Sequence, residues 1–197
     1  MKIHRIFPEA LAHANLGRKL TESEINQLRN CEKTHRGFYQ QSSSDRILEH
    51  PDLIDLQEDL MKIFENFVYN ELALDSINSW TIDRSFVRLF EVGEHEIAHR
   101  HLNHDFVLEF CFRSKPGDCM EFYRDYKFRD ALVADFRDIN SSSWTIPLEE
   151  SDVVVFDSKL AHAWSACRHV YRRQILTVLF RPLLPFRTYD NLGEVLG

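Results

Sequence analysis

Histidines are unevenly distributed along this chain, and their spacing is the first sign of chemistry. The sequence has 10 histidines in 197 residues, and four of them fall within one stretch of ten: His95, His99, His101 and His104. His99 and His101 are two residues apart, so in an extended segment both side chains point to the same face. Neutral imidazole binds iron, zinc, copper and nickel. The pair therefore predicts half of a metal site.

A third histidine, His162, is the best candidate for a ligand from elsewhere in the fold. It follows an apolar run at 153–156 and a short polar turn, at the head of another strand-like segment. A lone histidine is more often a surface or core residue than a ligand, so His162 gains its weight from the upstream pair. We expect His99, His101 and His162 to hold one metal ion.

Two arginines, Arg172 and Arg173, open the apolar run at 174–180. A guanidinium that faces inward on such a strand is a costly buried charge unless a carboxylate meets it. A bidentate acid cosubstrate is one such partner. The alternative is an arginine at the strand entrance whose side chain reaches solvent.

The elements that must position these side chains are short β-type runs, which begin at about Ser79. They are rich in Val, Ile, Phe and Trp and are separated by polar turns. The predicted strands cover residues 80–91, 106–112, 120–123, 144–146, 153–156, 162–167 and 175–180. Strands at this spacing without intervening helices predict an antiparallel sandwich or barrel.

The first third of the chain reads as helical. Thr21 and Glu24 have the spacing of a capping box, which predicts a helix that begins near Glu22. From Pro51, apolar residues recur at helical spacing as far as about Asn70, which predicts a long amphipathic helix.

Length and composition limit the function classes. A chain of 197 residues with 44% hydrophobic residues is typical of one globular domain, and we expect helical support in 1–78 and a β-rich core in 79–182. The net charge of -7, without a basic run, argues against direct nucleic-acid binding. No apolar stretch is long enough to cross a bilayer and no secretory signal is evident, so we expect no membrane association and a cytoplasmic location.

These motifs resemble the Fe(II)/2-oxoglutarate-dependent oxygenase superfamily, and in particular its small bacterial and phage-type branch. The similarity extends over nearly the whole chain. The residues that carry it lie at 6–8, 16–21, 91–93, 99–103, 140–144, 152–162 and 173–177. The last of these segments is the most specific.

The resemblance implies a double-stranded β-helix, which is a cupin-like jelly roll, with N-terminal helices. In it His99, residue 101 and His162 bind Fe(II), and Arg173 pairs with the far carboxylate of 2-oxoglutarate. Arg173 is preferred to Arg172 because it brings residues 174–177 into register with the family's strand. The implied activity is a dioxygenase that uses O2, releases succinate and CO2, and hydroxylates a small molecule or peptide that the sequence does not identify.

Position 101 departs from the family's usual set of two histidines and one carboxylate. Three interpretations stay open: a three-histidine iron site, a carboxylate supplied by Asp105 after a register shift, or loss of iron binding. We favour three histidines, since close relatives in this branch also carry HxH. A cupin-type metalloenzyme is the chief alternative, because Gly93, five residues and His99-x-His101 match the first cupin motif; a non-catalytic metal-binding or sugar-binding jelly roll is the other.

Overall fold

Two antiparallel β-sheets of unequal size form the computed structural model, which describes residues 10–75, 79–124, 141–168, 170 and 172–183. The strands in chain order are β1 (Leu11–Asn15), β2 (Lys33–His35), β3 (Gln40–Ser42), β4 (Trp80–Phe90), β5 (Phe106–Arg113), β6 (Cys119–Tyr123), β7 (Ser143–Pro147), β8 (Asp152–Asp157), β9 (Ala161–Trp164) and β10 (Arg173–Pro182). The larger sheet has the order β1-β8-β5-β10-β4-β3-β2, and the smaller has the order β7-β6-β9.

The larger sheet is covered on both faces, and this explains why its central strands are almost continuously apolar. One face packs against the smaller sheet through a cluster that includes Phe86 and Phe90 of β4, Phe156 of β8 and Trp164 of β9. The other face packs against the helices. Successive side chains of a strand alternate between these two layers. The mainly β architecture is the predicted jelly roll.

Two helices cover the outer face of the larger sheet. α1 (Glu22–Asn30) begins at the predicted capping box, in which Thr21 Oγ1 accepts a hydrogen bond from the Glu24 amide at 3.2 Å. α2 (Ile54–Glu65) follows a 3₁₀ turn at Pro51–Leu53 and continues as a π-helical turn at Asn66–Glu71. Both predicted helices are therefore confirmed, and none of the described helices has the length and apolar character needed to cross a membrane.

The expectation that the first third is helical is wrong in part, because β1, β2 and β3 also lie there. β1 pairs with β8, and β3 pairs with β4. β2 and β3 have the sequences KTH and QQS and lie at one end of the strand order of the larger sheet. Strands at a sheet edge need no apolar face, so neither sequence shows one. The predicted opening segment at 6–8 lies outside the described residues.

Candidate metal centre

The residues between β4 and β5 bring the His99-x-His101 pair beside β9. The amide of His99 donates to the carbonyl of His162 at 3.0 Å, and the reverse hydrogen bond is 3.1 Å long. Further along, the amide of Gly93 donates to the carbonyl of Cys167 at 2.8 Å. Residues 93–101 thus run antiparallel to β9 and extend the smaller sheet by an irregular strand.

The three histidines named from the sequence lie together. Their ligand atoms are all within 4.8 Å of one another. The Nε2 atoms of His99 and His101 are 3.2 Å apart, and the ring centroid of His162 lies 4.5 Å from that of His99 and 5.3 Å from that of His101. Such closeness suits three nitrogens that share one cation.

Backbone carbonyls orient two of these rings. Nδ1 of His99 lies 3.1 Å from the carbonyl oxygen of Ile97, and Nδ1 of His162 lies 2.9 Å from that of Leu160. A carbonyl only accepts, so each Nδ1 carries the hydrogen and each Nε2 keeps its lone pair for a metal. Nε2 of His162 is buried and has no hydrogen-bond partner among the described residues. A metal ion would satisfy this nitrogen, so the residues fit a metal.

Burial keeps the imidazoles of His101 and His162 neutral. Desolvation, helped by the neighbouring His99, lowers the pKa of His101 to about 3. The same two causes hold the pKa of His162 well below its ordinary value. Neutral imidazole is the form that binds metals.

The other sequence candidates in this region lie outside the cluster. His104 Nε2 contacts Asp83 Oδ2 at 3.0 Å, and the ring of His95 stacks on Phe38 with centroids 4.9 Å apart. Within the described ranges, the group of side chains placed to hold a metal contains the three histidines and not Asp105. The backbone of Asp105 is held by Phe180 and Ser158.

A buried charge network borders the histidines, and sequence reasoning did not assign it a role. The guanidinium of Arg88 donates to Glu96 and, at 2.5 Å, to Oε2 of Glu109. The Thr177 hydroxyl donates to the same Glu109 oxygen at 3.2 Å. Oε1 of Glu96 lies 3.8 Å from Nε2 of His99. A charged residue at an inward-facing position of an apolar strand, as at 88 and 109, is the signal that could have found it.

Arg173 faces inward, as predicted, and the carboxylate that meets it belongs to the protein. Its Nη1 donates to Asp118 Oδ1 at 3.1 Å, and its Nη2 donates to the carbonyl of Ser165 at 2.6 Å. The guanidinium lies over the rings of Phe90 and Trp164, at 4.6 and 4.9 Å from their centroids.

One donor of Arg173 stays open, because its buried Nε has no partner in the part of the chain that the structure describes. Arg172, by contrast, is on the surface, where it pairs with Glu91 at 2.8 Å. The residues fit an acid cosubstrate at Arg173 only if that acid shares or displaces the Asp118 contact.

A cavity of about 210 Å³ has an aromatic wall formed by Phe122, Tyr123 and Trp144. None of the three histidines is among the described residues that line it. Phe122 is the link between the two, because its ring centroid is 6.4 Å from that of His162.

Comparison with known proteins identifies the fold and no closer relationship. The sequence matches no protein-family model and no curated protein. HygX from Streptomyces hygroscopicus, solved with nickel and 2-oxoglutarate, superposes with a TM-score of 0.63 at 9% identity, over 90% of this chain and 84% of HygX. AviO1 from Streptomyces viridochromogenes gives a TM-score of 0.57 at 16% identity, over 88% of this chain and 90% of AviO1.

A third similar structure is SnoN, described as a non-haem α-ketoglutarate-dependent epimerase of nogalamycin biosynthesis. It has a TM-score of 0.63 and 11% identity, and the match covers 88% of this chain and 79% of SnoN. Identities this low carry the architecture and not the activity, which depends on the site. The chain therefore shares its jelly-roll fold with these three structures.

Proposed function

We propose that the protein is an Fe(II)/2-oxoglutarate-dependent oxygenase whose metal is held by His99, His101 and His162. The observation that carries this proposal is the convergence of three imidazoles, two of them oriented by backbone carbonyls, inside a jelly roll. When bound, iron, 2-oxoglutarate and O2 would supply an oxidant that attacks C–H bonds, with one oxygen atom of O2 entering succinate as 2-oxoglutarate loses CO2 and the other available to the substrate.

Arg173 is the proposed anchor for the far carboxylate of 2-oxoglutarate. Its guanidinium is buried on the inward face of β10, and no described residue accepts a hydrogen bond from its Nε. Asp118 now occupies Nη1. An incoming carboxylate therefore competes with Asp118, and the aromatic rings of Phe90 and Trp164 would keep water away from the resulting ion pair.

The proposed primary substrate is a small molecule, although a peptide fits the same chemistry. HygX has been solved with hygromycin B and SnoN with nogalamycin RO, which are small molecules. The aromatic cavity that Phe122 lines would take the apolar part of such a substrate. Hydroxylation is the expected outcome, and the similar structures include an epimerase and a carbocyclase, so C–H attack on this fold leads to more than one product.

A cupin-type metalloenzyme is the second candidate. The Arg173–Asp118 contact favours it, because an internal carboxylate already balances the arginine and such an enzyme needs no 2-oxoglutarate. Both candidates use the same three histidines.

Succinate formation separates the two candidates. We expect the Fe(II)-loaded protein to convert 2-oxoglutarate to succinate in the presence of oxygen, slowly alone and faster with a substrate. His162→Ala is expected to lose both iron and succinate formation, whereas His104→Ala, which changes a histidine outside the cluster, keeps iron. Iron bound without any succinate, across a panel of candidate substrates, would favour the cupin-type enzyme.

A further inference from the structure

A buried carboxylate, Glu96, lies beside His99 just outside the group of three histidines, and one of its oxygens has no hydrogen-bond partner among the described residues. Its side chain is 4% exposed, and Oε1 is 3.8 Å from Nε2 of His99. Its other oxygen, Oε2, is buried and finds no hydrogen-bond partner within the described residues. Buried polar atoms in proteins are nearly always partnered, so an oxygen left open here points to a missing ligand.

Glu96 reaches the inside of the jelly roll through an irregularity in the strand at 93–101. The amide of His99 donates to His162, and the amide of Glu96 donates to Trp164 at 3.1 Å. These two contacts are three positions apart in the strand at 93–101, from Glu96 to His99, but only two positions apart in β9, from His162 to Trp164. The extra residue breaks the alternation of faces, as a β-bulge does, and lets Glu96 and His99 both point inward.

The network leaves one carboxylate charge without a balancing cation. Arg88 donates to both Glu96 and Glu109, so one positive charge faces two carboxylates. Each carboxylate has one buried oxygen without a hydrogen-bond partner among the described residues, but Glu96 is the one that lies beside the histidines, with Oε1 3.8 Å from Nε2 of His99. When both carboxylates are ionised, the network carries one excess negative charge beside His99. A divalent cation at the histidines would balance that charge.

We propose that Glu96 is the carboxylate ligand of the metal centre. The resemblance leads one to expect a carboxylate ligand at position 101, where this chain has a histidine. Glu96, three residues before His99, takes the place of that carboxylate. This inference rests on the metal site of the proposed function. Three imidazoles and Glu96 would together hold the ion, and Arg88, which already donates to Oε1, would keep the carboxylate in place.

The test compares Glu96→Gln with Glu109→Gln, using Co(II) as the probe of the full-length protein. Both variants remove one negative charge from Arg88, so both should fold, with the melting temperature of the metal-free protein equal to or above that of wild type. Only Glu96→Gln should weaken Co(II) binding, by roughly tenfold or more, which is the scale seen when groups around a metal are removed. It should also change the visible absorption of bound Co(II), which reports coordination number.

Each outcome decides between the inferences. Wild-type protein that binds no Co(II) or Fe(II) contradicts the metal site itself, and with it the proposed function. Metal binding lost in His162→Ala but unchanged in affinity and spectrum in Glu96→Gln overturns the role of Glu96 and leaves a three-histidine site. An equal loss of Co(II) affinity in Glu96→Gln and Glu109→Gln overturns the role of Glu96 as well. The loss would then be explained by a change at Arg88, which both glutamates contact.

Discussion

At the scale of single residues, the two ends of the proposed site differ in how ready they are for a ligand. Burial keeps His101 and His162 neutral, and backbone carbonyls fix the rings of His99 and His162, so little reorganisation would accompany metal binding. Arg173 is already held by Asp118 and Ser165. We therefore expect the histidines to bind a metal ion without rearrangement. We expect the affinity for 2-oxoglutarate to be limited, because its carboxylate must compete with Asp118 for Arg173.

Arg173→Ala should separate cosubstrate binding from metal binding. The change leaves Fe(II) bound, because Arg173 contacts none of the histidines in the described structure, and weakens 2-oxoglutarate. It also leaves Asp118 as a buried carboxylate without its cation, which costs about 3–5 kcal/mol of stability. Titration of the anaerobic Fe(II) protein for the 2-oxoglutarate charge-transfer band measures the affinity, and urea unfolding measures the stability.

The control is Arg172→Ala, since the neighbouring arginine is exposed and pairs with Glu91 on the surface. It should change neither quantity by more than a small amount. A band that is unchanged in the Arg173 variant and weakened in the Arg172 variant would transfer the anchoring role to Arg172.

At the scale of elements, β4 and β5 belong both to the hydrophobic core and to the surroundings of the candidate site. Their outward faces pack under the helices, and their inward faces carry Arg88 and Glu109 among apolar neighbours. Buried charges at these positions add little or nothing to stability compared with well-packed apolar residues. Their presence is better explained by the site that they border.

The stability of the metal-free protein should depend on pH through Glu109. Burial, partly offset by Arg88, raises the pKa of its carboxyl from 4.5 to about 7. The folded state then binds a proton that the unfolded state has released, so this group's contribution to stability is full below about pH 4.5 and is lost as pH rises to about 7.

Glu109→Gln cannot titrate at this position, so it should gain stability relative to wild type by about 1–3 kcal/mol between pH 4.5 and 7. Urea unfolding of both proteins at several pH values in this window measures the difference. Parallel stability profiles for the two proteins would contradict the buried, titrating carboxyl.

At the scale of the whole molecule, the helices stabilise the larger sheet from the side opposite to the site. Phe64 of α2 is fully buried and stacks on Phe180 of β10, with ring centroids 3.8 Å apart. It also meets the rings of Trp80 and Phe106 edge-on. The histidines lie on the other side of this sheet, in the smaller one, so stability and metal binding should be separable.

Phe64→Ala tests this separation. Removal of a buried aromatic ring should lower the free energy of unfolding by about 3–5 kcal/mol, from lost burial and the cavity left behind. Fe(II) stoichiometry of the folded fraction should stay at the wild-type level. Loss of iron from protein that is still folded would show that α2 helps to shape the metal centre.

Local sequence patterns were enough for α1, α2 and the strands from β4 onward, and for the grouping of the three histidines. A capping box and apolar periodicity act within one element, which is why α1, α2 and the strands from β4 onward could be predicted near their observed bounds. The two-residue spacing of His99 and His101 likewise specifies a shared face wherever the segment is extended. The polar edge strands β2 and β3 carried no such signal.

Only the tertiary structure decided which groups surround those histidines and what meets Arg173. Glu96 faces inward because the strand at 93–101 holds one more residue than β9 opposite it, and no local pattern shows an extra residue. Asp118 reaches Arg173 across 55 residues of sequence. Such contacts depend on which strands become neighbours and in which register, and that is set by the burial of the whole core rather than by any one segment.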